Sequence, residues 1–377
     1  MPFRLLSSAA VLVALAATAP AGEIRGRVLV DGKPAKGVAV AALPFEDGFA
    51  FARREARRED LPKALASAVS RPDGTFAVAV PGPSGTPVRL ALSGGTASPR
   101  VLSALFDSGG DDAGDVRLPR ALALAGRVVD ERGGPVVGAT VTLWPGSGRR
   151  PQDASPASGL PQSAVTKADG AFRLEGAADE GNRLRVEAPA FATQERQPVR
   201  AGALARPVTL ALARILRGTV TLADRRTPAG GALVRFEGRT QTTRWVETRP
   251  DGAFLLDGAP REAGSLVADG GDRGRASVVL APGTAEPATI ALAPTSSLAG
   301  RVVDAANGKP LAGVRVVARG QGGEFLARSG PDGRYAMRGL SPQSYRLSAE
   351  DDRFVAWSRT VAVAAGQAET QDVPLVR

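Results

Sequence analysis

The chain contains neither histidine nor cysteine, and this limits the chemistry that its side chains can perform. Histidine is the side chain that titrates near neutral pH without perturbation, and it is the commonest metal ligand. Cysteine supplies thiolate nucleophiles, disulfides and ligands for zinc or iron–sulfur clusters. Paired carboxylates, a Ser–Lys pair or tyrosine remain as catalytic groups. Because there are only five lysines and no S-x-x-K motif, we predict a non-enzymatic protein with no cofactor.

One acidic stretch has the composition of a calcium-binding loop. Residues 107–115 are Asp-Ser-Gly-Gly-Asp-Asp-Ala-Gly-Asp. The spacing does not fit an EF-hand, because glycine falls where an oxygen ligand is needed. We interpret the stretch as a solvated acidic loop and predict no metal site.

The three tryptophans are candidate ligand-binding residues, because exposed aromatic rings can stack on the faces of sugars. Trp144, Trp245 and Trp357 lie at non-equivalent positions of the chain. Trp245 is the best candidate, since Arg244 and Glu247 flank it with polar groups. The alternative is that each ring packs on the core or edge of its own domain.

The N-terminus is typical of an export signal. Arg4 is followed by a mostly apolar run over residues 5–17, and Ala19-Pro20-Ala21 offers a cleavage site before Gly22. Such a run is too short to cross a hydrocarbon layer of ~30 Å. We therefore expect residues 1–21 to be a signal peptide. The mature protein is expected to be secreted, or to lie in the periplasm or cell envelope, without a membrane span.

The net charge of +10 raises the question of a nucleic-acid partner. The arginines, however, alternate with apolar residues instead of clustering, as at 172–174, 184–186 and 345–347. In a β-strand, this alternation places arginine on the solvent face and the apolar residues in the core. We predict no nucleic-acid partner.

Three short signatures recur four times in the same order, which indicates internal repeats. Each repeat opens with a strand that begins at glycine, continues through a proline- and glycine-containing turn, and then reaches Asp-Gly-x-aromatic. The opening glycines are Gly26, Gly126, Gly218 and Gly300. The turn glycines are Gly74, Gly170, Gly252 and Gly333. The aromatic residues are Phe76, Phe172, Phe254 and Tyr335.

Each signature has a physical interpretation. Asp-Gly predicts a tight hairpin turn in which glycine takes the positive φ that other residues oppose. The aromatic residue two positions later is expected to fill the core. Many short strands separated by turns predict a β-sandwich or barrel. The opening glycines are 100, 92 and 82 residues apart, which is the spacing of domains and not of solenoid repeats.

These signatures, such as Gly-Arg-Val-Val-Asp at 126–130 and Asp-Gly-Ala-Phe at 169–172, resemble the carboxypeptidase regulatory-like domains. That family has a transthyretin-like (prealbumin-like), carbohydrate-binding-like β-sandwich fold, and the resemblance covers nearly all of 23–377. It implies an all-β protein of four tandem Greek-key β-sandwich domains with about seven strands each. The expected domains are 22–120, 121–213, 214–294 and 295–377.

Two segments depart from the repeat pattern. Residues 46–68 form a charged insertion in the first repeat, which we predict to be a helix-permitting run on the surface. Residues 145–162, rich in Pro, Ser and Gly, are predicted to be a mobile loop. Links between repeats are very short, as at 212–215. They favour an elongated rod or bent chain, with a radius of gyration above the ~21 Å of a compact chain of this length.

The resemblance implies a fold more firmly than an activity, because the family consists mostly of accessory modules. Its catalytic relatives depend on histidine, which is absent here. A core isopeptide bond is not expected either, since Lys33 and Lys309 fall in turns and only Asn182 and Asn307 are present. We predict a scaffold or adhesion protein that binds protein partners or envelope components. The alternative is a polysaccharide-binding protein.

Overall fold

The computed structural model describes residues 22–102, 104–146, 160–239, 241–282, 288–320, 323–350 and 354–377. The expected signal peptide and most of the 145–162 loop lie outside these residues. The described strands form eight sheets, which pack face to face as four sandwiches. The all-β sandwich class is therefore confirmed, whereas the number of domains and their exact boundaries remain predictions.

Sandwiches 1 and 2 come from the first half of the chain, and an insertion helix interrupts the first of them. Sandwich 1 consists of β1 Gly22–Val30, β2 Lys33–Pro34, β3 Ala39–Pro44, β4 Ala66–Val69, β5 Thr75–Val80, β6 Pro87–Gly94, β7 Ala97–Val101, β8 Phe106–Asp107 and β9 Asp111–Leu118. The helix α1 spans Gly48–Arg57. Sandwich 2 consists of β10 Leu122–Asp130, β11 Thr140–Trp144, β12 Gln162–Val165, β13 Ala171–Ala177, β14 Asn182–Glu187, β15 Gln194–Val199, β16 Gly202–Ala203 and β17 Val208–Leu210.

Sandwiches 3 and 4 follow directly. Sandwich 3 consists of β18 Arg214–Thr221, β19 Leu233–Gly238, β20 Val246–Glu247, β21 Ala253–Ala259, β22 Gly264–Asp269, β23 Arg275–Leu280 and β24 Ala288–Ala291, with a 3-10 turn at Gly271–Arg273. Sandwich 4 consists of β25 Ser296–Asp304, β26 Arg315–Gly320, β27 Gly323–Arg328, β28 Arg334–Leu340, β29 Gln343–Glu350, β30 Trp357–Val363, β31 Ala368–Thr370 and β32 Val373–Leu375.

All four sandwiches share one topology. The opening strand (β1, β10, β18 or β25) pairs antiparallel with the strand after the Asp-Gly turn and parallel with the closing strand. We call the sheet that contains it the opening sheet and the other the second sheet. In the second sheets the strand orders are β4-β3-β6-β7, β12-β11-β14-β15, β20-β19-β22-β23 and β27-β26-β29-β30. Apolar side chains from both sheets of a sandwich meet in its core, since alternate residues of a strand share a face.

The Asp-Gly turns are tight, but they do not join neighbouring strands of one sheet as a simple hairpin would. They carry the chain from the second sheet to the opening sheet, as from β4 to β5. Each aspartate accepts a hydrogen bond from the amide two residues later, at 3.0 Å in all four turns. The φ angles of Gly74, Gly170, Gly252 and Gly333 lie between 75° and 80°.

A second constraint acts on the same glycines. A Cβ at Gly170 would lie 2.4 Å from the carbonyl oxygen of Val128, and a Cβ at Gly252 would lie 2.4 Å from that of Val220. The Gly170 carbonyl in turn accepts a hydrogen bond from the Val128 amide at 2.9 Å. The turn is therefore pressed against the opening strand of its own sandwich.

A comparison of two alanine substitutions separates these constraints. Gly133 has φ +85°, and no atom lies within 4 Å of the position that a Cβ would occupy, so Gly133→Ala should cost ~1 kcal/mol from backbone strain alone. Gly170→Ala adds the clash with Val128 and should cost ~3 kcal/mol. Hydrogen exchange of the most protected amides in β10 and β13 measures both. Equal losses of protection would show that the close contact is not tight in solution.

The aromatic residue of each repeat lies under the opening glycine. Phe172 is opposite Gly126 in the antiparallel register, and a Cβ on Gly126 would come within 2.9 Å of the ring. The glycine thus leaves the space that the ring occupies. The exposed fractions are 3% for Phe76, 4% for Phe172, 5% for Phe254 and 3% for Tyr335.

A buried hydroxyl three residues before each aspartate also recurs, and it was not predicted from the sequence. Thr166 donates a hydrogen bond to the Val136 carbonyl at 2.6 Å and accepts one from the Ala139 amide at 2.9 Å. The equivalent residues Ser70, Thr248 and Ser329 make the same pair of bonds. The pattern [ST]-x-x-D-G is therefore one unit that ties the turn to the start of the second sheet.

Candidate binding cleft at the centre of the molecule

The insertion at residues 46–68 forms a capped helix. The carboxylate of Asp47 accepts a hydrogen bond from the Ala50 amide at 2.7 Å at the start of α1. The helix ends at Arg57 and is followed by the capping residue Arg58, which has a left-handed φ of 56°. The segment does not lie on the outer surface as expected. It contacts three sandwiches besides the one that it interrupts: sandwich 3 through apolar packing, sandwich 2 through an ion pair, and sandwich 4 at β27.

Sandwich 3 receives the apolar face of α1. Ala52 is 5% exposed and packs with Trp245, Leu233 and Val267 of sandwich 3, while Phe49 borders the same cluster. At the end of the helix, Arg57 forms a two-pronged ion pair with Glu247, at 2.7 and 2.8 Å. These contacts place the helix across the outer face of the second sheet of sandwich 3.

Sandwich 2 holds the other side of α1 by charge. Glu55 lies 2.5 Å from Arg185, which is also 2.7 Å from Glu195. Burial alone would raise the pKa of Glu55, but the guanidinium of Arg185 outweighs it, so the pKa is lowered. Desolvation likewise opposes the charge on Arg185, yet Glu55 and Glu195 raise its pKa. The pair therefore stays ionised.

Arg185 also corrects the expectation that the alternating arginines face solvent. It is 4% exposed, because α1 covers the outer face of β14. Its guanidinium and that of Arg183 lie over the ring of Trp144, at 5.2 and 4.2 Å from the centroid. Arg173 and Arg346, the other two examples of the pattern, are exposed as expected.

Sandwiches 1 and 4 meet directly, so the two ends of the described chain close on each other. Glu324 of β27 pairs with Arg89 of β6 and, at 2.7 Å, with Arg319 of its own sandwich. Arg89 is 4% and Glu324 8% exposed. Arg315 donates a hydrogen bond to the Leu105 carbonyl. The prediction of an elongated rod or bent chain is therefore wrong. The second sheets of the four sandwiches surround the helix instead.

Asp107, the first residue of the predicted acidic loop, belongs to this closure. Its carboxylate accepts hydrogen bonds from the amides of Gly85 and Gly109, at 2.6 and 2.7 Å, and pairs with Arg328 at 2.7 Å. Burial acts to raise the pKa of Asp107, but these amides and Arg328 together lower it. The beginning of the loop thus has a structural role between sandwiches 1 and 4.

A cleft of about 310 Å³ lies in the junction of sandwiches 1 and 4. Three apolar side chains of sandwich 1 line one wall, and strand residues of β26 and β27 line the other. The sandwich 1 residues are Phe45, Pro87 and Phe106, with Gly85 beside them. The sandwich 4 residues are Arg315, Leu326, Ala327 and Arg328. It is a concave, largely apolar site with guanidinium groups along one side.

None of the candidate tryptophans lines this cleft. Trp245 is 6% exposed under α1, where the Arg235 guanidinium lies 4.3 Å from its ring centroid. Trp144 is 7% exposed, and Trp357 is half-buried against the core of sandwich 4. The exposed ring that sugar stacking requires is therefore absent at Trp245, the residue favoured as a ligand-binding candidate.

The cleft and the central position of the helix were not predicted from the sequence, although one signal pointed to them. Phe45, Phe49 and Phe51 fall within seven residues at the start of the charged insertion. A surface segment with only solvent contacts would not gain from three phenylalanines, whereas a segment packed between domains would.

The described residues hold no helix that is long and apolar enough to cross a membrane. Over the same residues, no group of three or more acidic side chains is placed to hold a metal ion.

Comparison with solved structures returned β-proteins with low overall superposition. The TIE protein of Bacillus anthracis is 14% identical, over 91% of this chain and 69% of that one, with a TM-score of 0.23. A putative carbohydrate binding protein from Bacteroides uniformis is 16% identical, over 21% and 40%, with a TM-score of 0.20. BcpA, the major pilin subunit of Bacillus cereus, is 11% identical, over 68% and 99%, with a TM-score of 0.20. At these scores none of them bears on the function of this chain.

Comparison with protein families is more specific. No match was found among curated proteins. The family model of the carboxypeptidase regulatory-like domain matches residues 123–213 and 297–376, which are most of sandwiches 2 and 4. The family assignment of sandwiches 1 and 3 remains a prediction from the shared signatures and topology. The two matched regions therefore each carry a carboxypeptidase regulatory-like domain.

Proposed function

We propose that this protein is an exported, non-enzymatic scaffold that presents the outer surfaces of four sandwiches, in fixed relative positions, to protein partners or envelope components. The observation that carries the proposal is the position of α1. One helix of sandwich 1 is held by ion pairs to sandwiches 2 and 3, through Arg185 and Glu247. A protein whose sandwiches acted separately would have no use for such a link.

The chemical content of the chain supports a binding role over a catalytic one. Without histidine or cysteine, an enzyme would need perturbed carboxylates, lysines or tyrosines. Among the carboxylates with shifted pKa values, Glu55 and Asp107 have arginine partners that bridge sandwiches, and burial raises the pKa of Asp269. Tyr335 and Tyr345 have raised pKa values because they are buried in the core of sandwich 4. These shifts are accounted for by packing.

The polysaccharide alternative has less support. Sugar binding by stacking needs an open aromatic face, and two of the tryptophans are buried under arginines. The large hydrophobic side chains that are exposed in the described residues are aliphatic.

The test is retention of envelope components by the immobilised mature protein. Extract from the envelope fraction is divided, and one portion is treated with protease and another with periodate, which cleaves sugar diols. We expect the retained material to disappear after protease treatment and to survive periodate. Retention that survives protease and is lost with periodate would favour the polysaccharide alternative instead.

Export is tested separately. Mass spectrometry of the secreted or periplasmic protein should give an N-terminus at or near Gly22. A cytoplasmic, uncleaved chain would contradict export.

A further inference from the structure

The cleft between sandwiches 1 and 4 has the features of a ligand site that the scaffold proposal does not use. Its volume of about 310 Å³ lies at the lower end of the ~300–1,000 Å³ range of small-molecule pockets. It is formed by residues of two sandwiches that are more than 200 positions apart in sequence. Its walls are apolar where Phe45, Phe106 and Leu326 line it.

The charges around the cleft do not balance. Arg328 is paired with Asp107, and Arg89 shares Glu324 with Arg319. Arg315 has no carboxylate within ion-pair distance among the described residues. Its one hydrogen bond there goes to a backbone carbonyl, that of Leu105.

The unused donor of Arg315 is buried. Its Nε has no hydrogen-bond partner in the described residues and is shielded from solvent. A buried donor without a partner costs free energy, and more so on a charged group. The lining residues of the cleft include no acidic side chain that could supply the partner. A ligand in the cleft that brings a negatively charged acceptor to the guanidinium of Arg315 would supply the missing counter-charge.

We propose that this cleft binds a small organic carboxylate with an apolar body. The carboxylate pairs with the guanidinium of Arg315, because planar guanidinium and carboxylate groups match in geometry. The apolar body lies against Phe45, Phe106 and Leu326. Of the two arginines that line the cleft, Arg328 is paired with Asp107 and Arg315 has no carboxylate partner among the described residues. One such guanidinium fits a monoanion, whereas a phosphate dianion would leave one charge without a partner in an apolar pocket.

Such a ligand would touch both sandwiches of the closure. Phe45 and Phe106 belong to sandwich 1, while Arg315 and Leu326 belong to sandwich 4. Binding would therefore stabilise the closed arrangement, since a ligand that favours one state shifts the equilibrium towards it.

The experiment uses the intact mature protein and three fluorinated probes of nearly equal size, followed by ¹⁹F NMR. The probes are 4-fluorobenzoate, 4-fluorobenzyl alcohol and 4-fluorobenzylamine, which differ in charge. We expect the carboxylate to bind about tenfold or more tightly than the alcohol, and the ammonium compound to show no binding. Equal binding of carboxylate and alcohol, or no binding of the carboxylate, would overturn the proposal.

Two variants and one control locate the site. Arg315→Gln should weaken binding of 4-fluorobenzoate about tenfold or more while leaving the alcohol unchanged. Leu326→Trp should fill the cleft and abolish binding of both. Arg346→Gln, which removes an exposed guanidinium on β29, should leave binding unchanged. Thermal melting checks that each variant is folded. Unchanged carboxylate affinity in folded Arg315→Gln, or in folded Leu326→Trp, would place any binding elsewhere and refute the assignment.

Discussion

Replacing Glu55 by alanine should release α1 from sandwich 2 and lower the free energy of opening of the helix by about 3 kcal/mol. Arg185 is 4% exposed and would lose one of its two carboxylate partners in a site closed to water. The remaining pair with Glu195 keeps the loss at the lower end of the range for a broken buried ion pair. Hydrogen exchange of peptides that cover 48–57 and 182–187 measures the opening.

A matched control lies in the same sandwich. Glu175 also pairs with a strand arginine, Arg173, at 2.8 Å, but both side chains are exposed. Glu175→Ala should change protection by no more than ~0.5 kcal/mol. If the two glutamate variants behave alike, α1 does not cover Arg185 in solution and the central position of the helix is wrong.

The same contact gives a pH dependence with a definite sign. The pKa of Glu55 is lower in the folded protein than its ordinary value of 4.5. Its contribution to stability is therefore complete above pH 4.5 and is lost as the pH falls through the lowered pKa. Exchange of the α1 amides should accelerate over this acidic range in the natural protein. In Glu55→Gln, the pH-dependent part of this acceleration should be reduced.

Reversal of the charge at Glu324 should open the junction of sandwiches 1 and 4. Glu324→Arg would place a third guanidinium beside Arg89 and Arg319, in a contact where Glu324 is 8% exposed. Like charges in such a site repel strongly because little water screens them. Small-angle X-ray scattering should give a radius of gyration near ~21 Å for the natural protein and a value several ångströms larger for the variant.

The control for this reversal is Glu131→Arg, which makes the same charge change at an exposed position of sandwich 2. It should scatter as the natural protein does. A natural protein that is already extended would show that the contacts of Glu324 do not hold in solution. A variant that stays compact would show that α1 alone holds the four sandwiches together.

The repeating architecture could be predicted from the sequence because its determinants are local. Asp169 and Gly170 form their turn with hydrogen bonds that span no more than four residues. Phe172 fills its core opposite Gly126, the glycine that opens the same repeat. Such short-range patterns specify a turn, a strand and an inward side chain wherever they occur. Four copies of the pattern therefore predicted the sandwich class.

The centre of the molecule could not be predicted in the same way. Arg185 sits between Leu184 and Val186, and this alternation is identical for a strand that faces water and for one that faces another domain. The partners that decide between the two cases are distant: Arg185 and Glu55 are 130 residues apart, and Arg89 and Glu324 are 235 apart. Local patterns carry no information about such pairs, so the closed arrangement was missed.

The position of α1 has a consequence for the order in which the protein is made. The helix is synthesised with sandwich 1, but its partner Glu247 follows Arg57 by 190 residues. Contacts between such distant residues form late in folding. Until sandwich 3 emerges, Phe49 and Ala52 have no apolar surface to cover them, and exposed apolar segments of this kind promote aggregation of nascent chains. Sandwich 1 must therefore fold before the helix of its insertion can pack against sandwich 3. A truncated chain that ends before residue 247 would be a natural substrate for chaperones and proteases.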